Sequence, residues 1–222
     1  MVVSLVLPVS YDGGDRQASL EWLRPMYPSQ WERVEAPGPS SGAWSKGAQV
    51  NAGVQASRGG VLIIADADLL IDLGVLIEAV NLVADGAPWV MPHGIVYRLS
   101  RGATMAVRSL KHTPTPTRVI SRRHPGPVGG GFVVCSRSAF DAVHGIDPRF
   151  TGWGGEDISF GRALDTLVGR HVRLDAPTWH LWHEPLPRVM GRRASPENER
   201  LAGRYLDAAG DEVAMRALCE EH

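Results

Sequence analysis

Val61-Leu62-Ile63-Ile64-Ala65-Asp66-Ala67-Asp68 is the stretch on which the fold turns. Five apolar residues in a row, without the polar alternation of a half-exposed strand, read as a strand covered on both faces. Two acids come where that strand ends. A central strand that carries carboxylates to its C-terminal edge carries them to where open α/β sheets hold their ligands. In extended backbone, residues two apart point the same way, so Asp66 and Asp68 are expected to face one cation. Hard divalent ions such as Mg²⁺ or Mn²⁺ favour carboxylate oxygens. One of the two acids could instead cap the next helix, but Asp72 already supplies a cap for residues 73–84.

The flanking sequence repeats the pattern. Residues 2–9 are a second apolar run, followed by the loop Ser10-Tyr11-Asp12-Gly13-Gly14-Asp15. Helical spacing is predicted over 18–27 and 44–57, with a short strand over 31–36. Downstream, strands are predicted at 88–92, 95–99, 132–135 and 171–174, with helices at 103–110, 138–143 and 156–168. Residues 112–129 are rich in Pro, Thr and Arg and show no period, so they read as a long functional or mobile loop. Ser195-Pro196 suit the N-cap and first position of a C-terminal helix, and Asp211 opens a last one. Alternating strands and helices predict an α/β fold with a mainly parallel central sheet flanked by helices and a C-terminal helical extension. The expected units are a catalytic domain over 1–185, with halves 1–85 and 86–185, then a linker and helices over 186–222.

The chain has 222 residues, 44% of them hydrophobic and 21% charged, as in a soluble globular protein. No apolar run approaches the roughly 18–20 residues that cross a bilayer. The apolar start is short and lacks a basic leader, so a soluble, cytoplasmic protein is expected. Cys135 and Cys219 are far apart in sequence and read as reduced thiols. Net charge is only −1, but it is unevenly spread. Between Gly86 and Phe140 there is no Asp or Glu, while seven arginines and Lys111 fall there. Such a window fits an anionic partner; a solvated arginine-rich loop explains it equally well.

Gly152-Trp153-Gly154-Gly155-Glu156-Asp157 is the second stretch that carries chemistry. Glycine-rich backbone can approach or close over a ligand. Glu156 and Asp157 sit at a helix start, where the macrodipole should keep both ionised near neutrality, and an ionised carboxylate can take a hydroxyl proton. A plain helix N-terminus with acidic residues is the bland alternative. Third comes Thr178-Trp179-His180-Leu181-Trp182-His183-Glu184-Pro185, where His180 or His183 could add a nitrogen ligand to a metal held by aspartates.

In this order the motifs resemble GT-A-fold glycosyltransferases, closest to the family-2-like and β-1,4-galactosyltransferase type. That family's Gly-Trp-Gly-Gly-Glu-Asp stands at 152–157, its Asp-x-Asp at 66–68, and its basic-then-Asn-x-Gly helix resembles Lys46 through Asn51 and Gly53. His183-Glu184-Pro185 resembles the His that completes the metal site. The resemblance covers about residues 2–206. It implies an enzyme that moves a sugar from a nucleotide-diphosphate sugar, with UDP favoured, to an acceptor hydroxyl, with Mn²⁺ or Mg²⁺ on Asp66, Asp68 and His183. Asp157 is the implied general base of an inverting reaction, with Glu156 on sugar or acceptor. Pro8, Tyr11, Asp12, Lys46, Asn51, Asp66, Trp153 and Gly154 are the implied donor contacts. The acceptor side falls to Gly130, Phe132, Arg122 and Arg123. The family's Asp-Asp after the second strand is missing, since Glu35 is followed by Ala36-Pro37-Gly38, which leaves the base-gripping residues open. A bacterial or phage enzyme fits the absence of an anchor. The acceptor stays open among DNA carrying a hydroxylated base, a lipid-linked sugar, a glycan and a protein. A nucleotide-sugar-binding module without turnover is the reading from another class.

Overall fold

Strand β3 (Val61–Ala65) is buried along its whole length between β1 (Val3–Val9) and β6 (Phe132–Ser136). The computed structural model describes residues 1–11, 13–38, 44–110, 126–127, 130–184 and 194–222. Successive side chains of β3 go to opposite faces, as strand geometry requires. Leu62 and Ile64 enter one buried cluster, and Val61, Ile63 and Ala65 enter another. Two apolar faces explain why the run has no polar alternation.

The remaining strands are β2 (Glu32–Pro37), β4 (Leu69–Ile71), β5 (Trp89–Arg98) and β7 (Val172–His180), in a seven-stranded sheet of order β2-β1-β3-β6-β5-β7-β4. One face is covered by α1 (Asp15–Leu23) and α3 (Leu73–Ala84). The other carries α2 (Lys46–Ala56), α5 (Arg137–Ala142), α6 (Glu156–Leu167), α7 (Pro196–Asp207) and α8 (Glu212–Cys219). Helix α4 (Arg101–Leu110) lies beyond the end of β5, where Val107 packs with Leu23, Leu99 and Leu181.

The expected mainly parallel sheet is mixed: three neighbouring pairs are parallel and three antiparallel. Strands β6 and β4 run against the rest. Strand direction depends on where the connection re-enters the sheet, and an apolar run carries no mark of it. Strand β4 follows β3 after only a turn, so it cannot cross back to run alongside. The strands predicted at 88–92 and 95–99 are one strand, β5, with register shifts on either side of His93. As a result, the C-terminal ends of β1, β2, β3, β5 and β7 and the N-terminal ends of β4 and β6 share one edge of the sheet.

The opposite end of α6 is tied down by a polar anchor. Asp165 accepts from Trp89 Nε1 at 2.9 Å and pairs with His171 Nδ1 at 3.0 Å. Helix α6 is thereby fixed against the starts of β5 and β7, which sets where its first residues, Glu156 and Asp157, project. Among the described residues no helix is long and apolar enough to cross a membrane.

Candidate active site

Just past β3 the chain leaves extended geometry for a turn, and Asp66 and Asp68 diverge. This corrects the expectation that both face one cation: the two-residue rule holds only while the strand continues. Asp68, buried, meets the end of β7 and the residues after it. Asp68, His180 and His183 each offer one ligand atom, all within 4.8 Å of one another. His183 Nε2 stands 3.3 Å from Asp68 Oδ2, and His180 Nε2 3.9 Å from Oδ1. Ligands about 2.1 Å from an octahedral ion stand roughly 3 Å apart, so the spacing suits a divalent metal.

The donor chemistry fits as well. His180 Nδ1 lies 2.9 Å from the Leu181 carbonyl oxygen and His183 Nδ1 2.8 Å from that of Glu184. A carbonyl only accepts, so each Nδ1 carries a proton, and in the neutral ring each Nε2 then has its lone pair on the Asp68 side. Burial lowers the His183 pKa, with the charge of Asp68 opposing it, which favours the neutral ligand form. Both histidines therefore offer a ligand atom beside Asp68, where one was expected to.

Asp66 turns instead to Lys46, at 2.6 Å, and the same ammonium donates to Asp157 Oδ1 at 2.9 Å. Lys46 is the first residue of α2 and is buried; Ser45 caps the helix by accepting from Ala48 N. Lys46 thus bridges the strand end to the start of α6. Glu156 and Asp157 were expected to be ionised. Burial, then the neighbouring Asp157 charge, pushes Glu156 up to about 7. Burial also raises Asp157, against the pull of Lys46. Burial and the mutual repulsion of three crowded carboxylates outweigh both the Lys46 ammonium and the helix macrodipole, whose effect is typically under about 1 kcal/mol.

The turn before α6 is held from outside. Gly152 N donates to Trp44 O at 2.7 Å, and Asn198 of α7 donates to Thr151 O at 3.0 Å while accepting from Thr151 N. Gly154 N donates to Glu156 Oε2 at 3.0 Å. Gly155, the N-cap, has φ 102°, a conformation only glycine takes without strain. Trp153 is 45% exposed at the tip. Opposite Asp157 lies Gly130, where a Cβ would overlap the carboxylate. The buried His93 fixes that backbone from below, with Nε2 2.8 Å from the Gly130 carbonyl.

Residues 120–179 match the family described as N-terminal domain of galactosyltransferase. No curated protein sequence matches the chain. Among solved structures it is similar to GalNAc-T7 with UDP, GalNAc and Mn²⁺, with TM-score 0.63 and 15% identity over 100% of this chain and 55% of that one. It is similar to S. aureus TarS, with TM-score 0.56 and 12% identity over 100% of this chain and 42% of that one. It also resembles glucosyl-3-phosphoglycerate synthase from Mycobacterium tuberculosis, in complex with Mn²⁺, UDP-glucose and phosphoglyceric acid. That likeness has TM-score 0.50 and 14% identity over 99% of this chain and 80% of that one. The chain has the GT-A glycosyltransferase fold. It spans just over half of the first of these structures and less than half of the second.

Within the GT-A frame the other expected contacts sort themselves. Tyr11 and Pro8 lie at the end of β1; the Tyr11 hydroxyl donates to Glu35 Oε2 at 2.6 Å, and Arg24 clamps Glu35 through two hydrogen bonds. Glu35 therefore ties Tyr11, at the end of β1, to Arg24. Asn51 is not a donor contact: its amide exchanges hydrogen bonds of 2.8 and 2.9 Å with the Ile146 backbone. Phe132 is not on the acceptor surface either, being fully buried in the core beside β3. Asp12, Arg122 and Arg123 lie outside the described residues. Arg16, Gln49, His93 and Asn198 were not singled out from sequence. Gln49 ties the ends of β1 and β2 by donating to the carbonyls of Val9 and Ala36. Each is one polar residue in a helix or strand, with nothing local to distinguish it.

Proposed function

We propose that the protein is a metal-dependent, inverting glycosyltransferase that moves a sugar from a UDP-sugar to an acceptor hydroxyl. The observation that carries this reading is the joining, through Lys46, of the strand end that bears the Asp68–His180–His183 set to the carboxylate Asp157. A divalent ion on those three side chains would neutralise the donor diphosphate and stabilise it as a leaving group. Asp157 takes the proton of the acceptor hydroxyl as that oxygen bonds to the anomeric carbon and the bond to the diphosphate breaks. Lys46 occupies Oδ1, which leaves Oδ2, on the Gly130 side, for the acceptor. The raised pKa brings Asp157 closer to the working pH, where a general base is most effective. Attack from the face opposite the diphosphate inverts the anomeric centre.

Glu156 holds the turn through Gly154, so that Trp153 can cover the donor and keep water out. The acceptor is read as anionic, such as DNA carrying a hydroxylated base, from the acid-free window between Gly86 and Phe140. Arg101 of that window stacks on Trp182, next to His183, with its guanidinium carbon 5.1 Å from the ring centroid. This places a cation and an aromatic face beside the proposed metal site.

The test is nucleotide release from a panel of UDP-, GDP- and TDP-sugars with Mn²⁺, with and without EDTA. Release from a UDP-sugar that EDTA abolishes is expected. Asp68→Ala and His183→Ala should each lose Mn²⁺ binding and the release together. Binding of UDP with no turnover of any donor, even with acceptor mixtures supplied, would favour a binding module instead.

A further inference from the structure

Arg16, at the second position of α1, reaches the atoms assigned above to the metal. Its Nε lies 3.6 Å from Asp68 Oδ2 and a terminal nitrogen 3.3 Å from His183 Nε2. The lone pair of His183 Nε2 can be given to an N–H of Arg16 or to an ion, not to both. Asp68 Oδ2 and His183 Nε2, both acceptors, face each other at 3.3 Å. Two acceptors so close need positive charge beside them, and the guanidinium supplies it. A divalent ion on the same atoms would supply more and would repel Arg16.

The displaced side chain has a destination. Arg16 is a third exposed, on a long stem at the sheet edge where the donor is placed. A planar guanidinium matches phosphate oxygens through paired hydrogen bonds, and a diphosphate on the ion would lie within its reach.

We propose that Arg16 and the divalent ion are alternative partners of Asp68 and His183, and that Arg16 passes to the donor diphosphate, so that ion and donor bind with positive coupling. This rests on the metal reading above. It makes Arg16 a positioning residue at one junction: it holds the ligand set together before the ion arrives and the donor afterwards. Ion alone must displace Arg16 with no anion to receive it; ion with donor does not pay that cost.

Titration calorimetry on the full chain tests this, with Mn²⁺ as ligand, first alone and then with saturating UDP. Arg16→Met should bind Mn²⁺ alone more tightly than the wild type, by about fivefold or more, the lower range of measured couplings. The gain in Mn²⁺ affinity that UDP gives the wild type should shrink by a similar factor. Arg16→Gln provides a second uncharged variant, and circular dichroism checks that each is folded. Arg16→Lys, which keeps the charge without the fork, should fall between. Mn²⁺ affinity unchanged or weakened in both folded uncharged variants, with UDP enhancement intact, would overturn the inference while leaving the metal site standing. Wild-type protein that binds no Mn²⁺ in an Asp68-dependent way would instead remove the metal reading and this inference with it.

Discussion

The ammonium of Lys46 has Asp66 and Asp157 within hydrogen-bond distance, and the charge of Glu156 acts on it as well. Three carboxylates around one buried cation cannot all be charged cheaply, and Glu156 is the one that gives way. The sign of the pH effect follows. Unfolded, Glu156 loses its proton near 4.5; folded, it keeps it up to about 7. Between those values the native state binds more protons than the unfolded one, so stability falls as pH rises. Glu156→Gln should therefore flatten the profile and be more stable than wild type at pH 8, by at most about 3 kcal/mol at 1.36 kcal/mol per pKa unit. Urea midpoints from pH 5 to 8 check this, and parallel curves for the two proteins would contradict it. Asp157→Asn should keep the fold, since Lys46 retains Asp66, and, with Asp157 as the proposed base, lower the transfer rate by about 10²–10⁴. Steady-state kinetics with intact donor binding would show it. The acids themselves were legible in the sequence. Their charge was not, because it is set by burial and by neighbours that only the fold assembles, among them a lysine 111 positions away from Asp157.

At the scale of elements, the turn at 152–155 is only as well placed as the two segments that grip it. Asn198 is buried in α7, and its amide satisfies both backbone groups of Thr151. Asn198→Ala leaves those groups without partners, a loss of about 1–3 kcal/mol. On the proposed function it should also slow turnover more than it weakens donor binding, because that reading has the turn close over the sugar. Chemical denaturation and a separation of kcat from KM measure the two effects. The helix after this turn was legible from its acids and glycines, as were the caps Asp72, Ser195 and Asp211, since capping is a local bond between a side chain and nearby backbone. Strand β4 was not: three residues carry too little pattern to read. The reversed course of β6 was also hidden, because an apolar run reads the same in both directions.

For the molecule as a whole, α7 and α8 read from sequence as an extension beyond the sheet. In the fold, Tyr205, Met215 and Leu218 lie in the same buried cluster as Leu62 and Ile64 of β3. The cluster is closed by a polar seam, in which Asp147 accepts from Arg149 at 2.7 Å and from the Tyr205 hydroxyl at 3.1 Å. Removing residues 195–222 should therefore expose a core face and leave protein that aggregates or melts far below the full chain, as scanning calorimetry would report. The same layering gives the two cysteines distinct addresses. Cys135 sits in β6 at the middle of the sheet and Cys219 near the end of α8, and burial pushes their thiols up to about 12 and about 11. Neither is reactive while folded. Under mild denaturant, labelling at Cys219 ahead of Cys135 is expected, since a helix layer can lift while the sheet holds. The chain thus carries its own two-channel recorder of which layer opens first, readable by mass spectrometry without adding a single probe.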